Sequence, residues 1–99
     1  MLHTVNKSPF ENLALDACLK FASQGSAVLL IEDGVYAATH GHAAEGKLRA
    51  ASARLEIYVL APDLEARGMG QSLAQGMKPV DYSGFVELVV QHKNCQSWL

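Results

Sequence analysis

Five consecutive apolar residues, Ala27 to Ile31 (AVLLI), form the segment that most restricts what this chain can fold into. A strand with one face in water alternates polar and apolar side chains, whereas a strand covered on both faces is apolar throughout. Segments with helical periodicity precede and follow the run, and this alternation of short apolar runs with helices is typical of an α/β fold. We therefore expect one α/β domain over residues 1–99, with this run as a central strand.

Three further segments are predicted as strands, with helical patterns between them. They lie at Leu2–Val5, Leu55–Leu60 and Lys78–Tyr82. The first helix is expected to be capped by Ser8, to have Pro9 at its first position and to run to about Ser23. Glu11 stands three residues after the cap, which completes the sequence pattern of a capping box.

The middle of the chain contains two shorter helical segments. The turn Glu32–Gly34 leads into an Ala-rich helical region that is interrupted at residues 39–42. Residues 62–63 (Pro-Asp) open a short helix, which Gly68 closes. Residues 68–76 contain three glycines and are predicted to form a loop.

The last helix is expected to begin at a serine cap and to end near the C-terminus. Ser83 is the predicted cap, and the helix runs to about Gln91. Its inner face is predicted to contain Phe85, Leu88 and Val89.

The first helix has a wider apolar arc than a helix that only packs on a sheet requires. At about 100° per residue, its apolar and small residues leave only a small remainder for Asn12, Asp16, Lys20 and Ser23. Charged residues make up only 18% of the chain, against a usual share of about 25%. The excess apolar surface predicts a second contact across a subunit interface, and Cys18 is placed towards that outer flank.

Charge and hydropathy exclude several classes of partner. The net charge is −2 and the basic residues are scattered, so no basic stripe is available for direct binding of nucleic acid. No apolar run approaches the roughly 20 residues that span a bilayer, and the first residues (MLHTVNKSP) lack the pattern of a secretion leader. We therefore expect no membrane partner and a cytoplasmic location, where Cys18 and Cys95 stay unpaired.

The common enzymatic motifs are absent from the sequence. There is neither a phosphate-binding glycine loop nor the strand–turn–helix elbow that presents a nucleophilic serine, and no cofactor is expected. His40 and His42 are interpreted as loop residues, because two histidines do not complete a zinc site. Asp33 and Asp63 follow predicted strands, but turns and helix caps use aspartate in the same positions.

Two aromatic residues near the ends of the chain are interpreted as structural. His3 lies on the first predicted strand, where a packed and hydrogen-bonded histidine is expected. Trp98 is predicted to dock into the core of this chain or into a pocket of a neighbouring subunit.

Cys18 is the candidate residue for sulfur chemistry, although its local environment favours a packed side chain. A reactive cysteine must be a thiolate, which a helix N-terminus or a nearby positive charge stabilises. Cys18 lies in the middle to late part of its predicted helix, and Lys20 points to another face. From the residues alone, the Cys18 thiol is expected to be inert.

Four segments in order along nearly the whole chain resemble the DsrH/TusB family of intracellular sulfur-relay proteins. They are LHTVNKSP at the start, LLIEDGVYAA after the first helix, YVLAPDLEARG at the third strand, and VDYSGFVELVVQH with the terminal SWL. The resemblance implies a single three-layer domain with a mostly parallel sheet flanked by helices, as in DsrE/DsrF/DsrH-like proteins.

The resemblance also implies an assembly and a task. The chain would be the smallest subunit of a hetero-hexamer, together with homologous DsrE/TusD-like and DsrF/TusC-like subunits. The family passes sulfane sulfur as cysteine persulfide and exchanges it with a small carrier protein of the DsrC/TusE type. One branch supplies 2-thiouridine at the tRNA wobble position, and the other acts in dissimilatory sulfur oxidation.

The family pattern implies that the main persulfide cysteine belongs to a sister subunit, in the loop after the third strand. The corresponding segment of this chain, LAPDLEARG, contains no cysteine. The segment CLKF around Cys18 resembles the sulfur-oxidation branch, which is the favoured prediction, with tRNA thiolation as the alternative. Two roles follow: a structural and docking subunit, which is favoured, or a direct persulfide carrier with Cys18 as its catalytic residue.

Overall fold

The computed structural model describes residues 1–10 and 13–98. Its strands are β1 (Leu2–Val5), β2 (Ala27–Leu30), β3 (Glu56–Leu60), β4 (Lys78–Val80) and β5 (Cys95–Trp98). They form one sheet in the order β4-β3-β2-β1-β5, and every neighbouring pair is parallel. The predicted α/β fold with a parallel sheet is confirmed.

In the part of the chain that the structure describes, four α-helices and one 3₁₀ helix connect the strands. They are α1 (Ala14–Phe21), the 3₁₀ helix Glu32–Ala38, α2 (Glu45–Ala51), α3 (Ala61–Ala66) and α4 (Tyr82–Gln91). Within the described residues, no helix combines the length and the hydropathy that a membrane span requires.

The side chains of β2 alternate between two separate cores, which makes the fold a three-layer structure. Val28 and Leu30 belong to the larger core, to which α1, the 3₁₀ helix, α2 and α3 all contribute. Ala27 and Leu29 point to the other face, where the smaller core includes Leu88 of α4. Because both faces are covered, all four residues of β2 are fully buried, as the apolar run predicts.

The fifth strand is not predicted by the sequence pattern. β5 pairs with β1 along its whole length, from Leu2 opposite Cys95 to Val5 opposite Trp98. It is an edge strand, and its first three residues (Cys95, Gln96 and Ser97) are exposed. With Trp98 as its one large apolar side chain, the segment lacks the alternation that marks a strand.

The predicted start of the first helix is wrong. Pro9 and Phe10 form a turn, in which the backbone N–H of Phe10 donates to the Ser8 hydroxyl over 3.2 Å. Ser8 therefore binds an amide two residues away and does not cap α1, which begins at Ala14. Glu11, the second half of the predicted capping box, lies outside the described residues.

The predicted cap of the last helix is also wrong. Asp81 is the N-cap of α4, and its carboxylate accepts a hydrogen bond of 2.8 Å from the backbone N–H of Gly84. Asp81 and Ser83 are both good capping residues, and the aspartate precedes the first helical turn. Leu88 is buried on the inner face as expected, whereas Val89 is 42% exposed.

The predictions for the middle of the chain are confirmed except for the turn at Glu32–Gly34, which forms the start of the 3₁₀ helix. The Ala-rich region splits into the 3₁₀ helix and α2, and α3 follows β3 directly. Gly68 ends α3 with a φ of 72°. The glycine-rich loop at residues 68–76 is attached to the rest of the fold by an antiparallel bridge between Thr39 and Leu73.

Gly34 is required by a close approach of two backbone segments. The 3₁₀ helix passes over the end of β1, and a Cβ atom on Gly34 would lie 2.2 Å from the carbonyl oxygen of Val5. That oxygen is held in place by the N–H of Ile31, at 3.0 Å. No flexible side chain can move aside, so a larger residue must displace the backbone.

We predict that Gly34→Ala lowers the free energy of unfolding by at least about 2 kcal/mol, because the added methyl group overlaps the Val5 carbonyl. Gly46→Ala is the matched control. Gly46 is exposed in α2 with open space at its Cβ position, so alanine should stabilise the chain by about 0.5–1 kcal/mol. Urea unfolding of the two variants measures both effects, and equal stabilities would contradict the packing described for Gly34.

Candidate functional site

The Cys18 thiol lies in the larger core. Its side chain is fully buried, packed with Leu15 and Leu19 of α1 and with the face of the sheet that carries Val28. The predicted position towards the outer flank is wrong, because this side of α1 faces the sheet. Burial raises the pKa of Cys18 to about 12, since the apolar surroundings disfavour the thiolate.

The second thiol, Cys95, is on the opposite face of the sheet. It is the first residue of β5 and is paired with Leu2, whose side chain belongs to the smaller core. Cys95 is exposed, and both cysteines are free. The two thiols cannot form a disulfide in this fold, because the sheet separates them.

The segment after β3, where the family pattern has its persulfide cysteine, is part of a structural network here. Asp63 of α3 accepts a hydrogen bond of 2.7 Å from the backbone N–H of Glu32. Arg67 donates to the Asp33 carboxylate over 3.0 Å and to the carbonyl oxygen of Asp63 over 3.1 Å. These contacts attach α3 to the start of the 3₁₀ helix, so both aspartates have structural partners as expected, although neither caps its own helix.

The connections change side between β1 and β5. The helices that join β1, β2, β3 and β4 lie on one face, and α4 crosses the other face to reach β5. In open α/β sheets, ligands usually bind at the carboxyl ends of the strands where such a reversal occurs. Asn6 directly follows β1 at this edge of the sheet, and its Oδ1 is buried with no hydrogen-bond partner among the described residues.

Of the two loop histidines, His42 has its ring occupied by backbone groups. The N–H of Ala44 donates to Nδ1 of His42 over 3.1 Å, and Nε2 of the same ring lies 3.2 Å from the carbonyl oxygen of Ala37. His40 contributes its backbone N–H to the carbonyl oxygen of Ser72. Over residues 1–10 and 13–98, no group of three or more histidine, cysteine, aspartate or glutamate side chains is arranged to bind a metal ion.

The outer side of α1 and the turn before it form an exposed apolar surface, which we call the α1 surface. It consists of Phe10, Leu13 and Phe21, and Leu13 is 76% exposed. Beside it lies a groove of about 730 Å³ between α1 and α2, with charged residues along its rim that include the ion pair of Asp16 with Lys47. The wide arc of the first helix thus leaves apolar side chains in water, as predicted.

A second exposed apolar surface, which we call the α4 surface, lies on the other face of the sheet. Tyr82, Val86, Val89 and Val90 follow one another at helical spacing, and Val90 is 78% exposed. This surface was not predicted from the sequence, although α4 contains more apolar residues than the inner face requires. Phe85 and Leu88 form that inner face, and the remaining apolar residues indicate a second one.

His3 and Trp98 contact each other at the edge of the sheet. The indole Nε1–H of Trp98 donates to Nδ1 of His3 over 3.1 Å, and the Trp98 ring lies stacked near Phe21, with 6.0 Å between centroids. His3 is 4% exposed. The predictions of a packed histidine and a docked tryptophan are confirmed, whereas their hydrogen bond could not be predicted without β5.

Comparison with known sequences identifies full-length relatives. Residues 7–95 match the family described as DsrH like protein. The chain is 40% identical over 98 residues to Protein TusB of Pectobacterium parmentieri, which covers 99% of this chain and 100% of the relative. It is 38% identical, with the same coverage, to Protein TusB of Escherichia coli strain SE11.

Comparison with solved structures supports the fold. The crystal structure of the ychN protein from E. coli superposes with a TM-score of 0.80 at 14% identity, over 97% of each chain. A protein of unknown function from Methanobacterium thermoautotrophicum gives 0.72 at 16% identity, over 97% of this chain and 95% of the other. At these identities the likeness shows a shared fold.

We predict that the two cysteines differ strongly in their reaction with iodoacetamide. With a pKa of about 12, only about one Cys18 in 10⁴ is a thiolate at pH 8, and its side chain is buried. Cys95 is exposed and should be alkylated first. Peptide mapping of the native chain measures both, and a denatured sample is the control in which both react. Equal labelling of the native chain would contradict the burial of Cys18.

Proposed function

The chain belongs to the DsrH-like family, and on this premise we propose that it is the docking subunit of a sulfur-relay complex. Its task is to hold sister subunits in place while one of them carries the persulfide. The observation that carries the proposal is the pair of exposed apolar surfaces on opposite faces of the sheet.

These two surfaces are poorly suited to a free monomer. The α1 surface and the α4 surface each present several large apolar side chains to water, around anchors such as Leu13 and Val90. Interface cores are rich in such residues and poor in charge. Since the surfaces lie on different sides of the sheet, one chain can contact two neighbours at once.

We propose that the neighbours are DsrE/TusD-like and DsrF/TusC-like sister subunits, in a hetero-hexamer that exchanges sulfur with a carrier protein of the DsrC/TusE type. The absence of a thiol after β3 supports a division of labour. At that position this chain has Ala61 and Pro62 at the start of α3, followed by Asp63, which is bonded to the backbone of Glu32. A sister subunit would therefore supply the main persulfide cysteine.

For the destination of the sulfur, we propose 2-thiouridine synthesis in tRNA. The relatives at about 40% identity over the whole chain carry the name TusB, which belongs to the tRNA branch of the resemblance. Sulfur oxidation, the branch favoured from CLKF, stays a second prediction. Its support is weaker because Cys18 is fully buried, and core packing is a sufficient reason for a cysteine there.

A direct carrier role for Cys18 is the alternative mechanism. Its thiolate would attack the outer sulfur of a donor persulfide, form a persulfide on Cys18 and release the donor cysteine as a thiolate. The burial of the Cys18 side chain and its raised pKa both oppose this step. Sulfur could reach it only after α1 moved away from the sheet.

We predict that Leu13→Glu and Val90→Glu each weaken binding of sister subunits by at least about 30-fold, or ~2 kcal/mol, because each places a charge in an apolar contact. Gln71→Glu is the control, since Gln71 is exposed in the glycine-rich loop. Co-purification with the sister subunits measures the effect. Intact binding by both glutamate variants would contradict the docking surfaces.

We also predict that Cys18→Ala leaves sulfur transfer within about twofold of the wild-type rate, because the docking role needs no thiol at this position. The assay follows labelled sulfane sulfur from donor to acceptor through the assembled complex. A complex that assembles normally with Cys18→Ala but transfers no sulfur would establish Cys18 as a carrier and reject the docking role as the whole function.

A further inference from the structure

The edge strand β5 is attached to the fold by few side chains. It pairs with β1 on one side, and its other side is the edge of the sheet. Cys95, Gln96 and Ser97 are exposed, and the Ser97 hydroxyl makes a long hydrogen bond of 3.3 Å with Thr4. Trp98 is the residue of β5 that packs against the larger core. Apart from its backbone pairing with β1, the strand is therefore anchored mainly by the side chain of Trp98.

The hydrogen bond from Trp98 to His3 requires a neutral imidazole ring. An indole N–H can only donate, so Nδ1 of His3 must accept, and the neutral ring carries its proton on Nε2. When the imidazole binds a second proton, Nδ1 becomes a donor. Two N–H groups then face each other at a distance of 3.1 Å between nitrogens, and the hydrogen bond is lost.

We infer that the His3–Trp98 hydrogen bond is a pH-sensitive latch, which holds β5 on the sheet and releases it when His3 binds a proton. Release would separate Trp98 from Phe21 and widen the cavity of about 240 Å³ that these aromatic rings line together with Met1 and Gln96. It would also free the backbone groups of β1 that now pair with β5. The latch is a property of the full chain and does not depend on any relay partner.

The surroundings of His3 oppose its protonation. Val28 of β2 is paired with it, Phe21 of α1 lines the same cavity, and β5 adds the neutral Gln96 and Trp98. Within the described part of the chain, the charged group that acts on His3 is the amino group of Met1. Burial, and then this positive charge, lower the pKa of His3 below its ordinary value of 6.5.

The direction of the pH effect follows from this lowered pKa. Well above pH 6.5, the ordinary pKa of a histidine, the ring is neutral whether β5 is bound or released, so the latch is at full strength. Below pH 6.5 the released form binds a proton more readily than the bound form. Because one proton is involved, the ratio of released to bound strand rises by up to about tenfold per pH unit until the bound form is protonated as well.

The single tryptophan of the chain makes the latch directly observable. On acidification from pH 8 to pH 5, we expect the Trp98 emission maximum to shift to longer wavelength as the ring enters water. Hydrogen exchange should show a loss of protection at β5, after correction for the intrinsic effect of pH. The amides of β2 are the internal control, since they stay protected if release is local.

His3→Asn is the matched variant, because its side-chain oxygen can accept from Trp98 near the position of Nδ1 but does not titrate. It should abolish both pH effects while His40, His42 and His92 remain in place. In the wild-type chain, imidazole ¹⁵N shifts give the tautomer of His3 even if the variant fails to fold. The latch is rejected if His3 carries its proton on Nδ1 at pH 8, if emission and β5 protection do not change down to pH 5, or if His3→Asn changes in the same way.

Discussion

The burial of β2 between two helical layers of unequal size is the constraint on which the rest of the structure depends. Both faces of Ala27–Leu30 are removed from water, so helices must cover both sides of the sheet. Four helical segments contribute to the core on one side, and α4 contributes on the other. A chain of 99 residues that covers both sides of a sheet has few polar residues left to cover the outer sides of the helices.

The exposed apolar surfaces follow from the small size of the chain. α1 uses Leu15, Cys18 and Leu19 for its contact with the sheet and still presents Leu13 and Phe21 to water. The carboxyl edge, where α/β proteins usually do their chemistry, is occupied at α3 by contacts between aspartate, arginine and backbone. The unusual features of this structure are therefore its exposed apolar surfaces. Such contact surfaces agree with a docking subunit of a relay whose thiol chemistry is on another chain.

The parts of this fold that can be predicted from the sequence are those in which the pattern of apolar and polar residues itself indicates burial or exposure. AVLLI specifies the central strand, and the wide arc of α1 predicts an exposed apolar flank. The parts that depend on distant contacts could not be predicted. β5 is polar and is held by pairing with β1, and the choice of Asp81 over Ser83 as a cap depends on where α4 starts. The burial of Cys18 could not be predicted either, because an apolar arc does not tell which of its residues contact the sheet.

Native mass spectrometry of the complex purified through this chain, followed by peptide mapping after exposure to a sulfane-sulfur donor, tests the docking role most directly. If this chain is a docking subunit, two kinds of homologous subunit co-purify and the added sulfur appears on a sister subunit, with the Cys18 peptide unmodified. A chain that purifies without partners would contradict the docking role. Added sulfur on Cys18 would instead make this chain a station of the relay, and would show that α1 opens to expose a thiol buried in the structure.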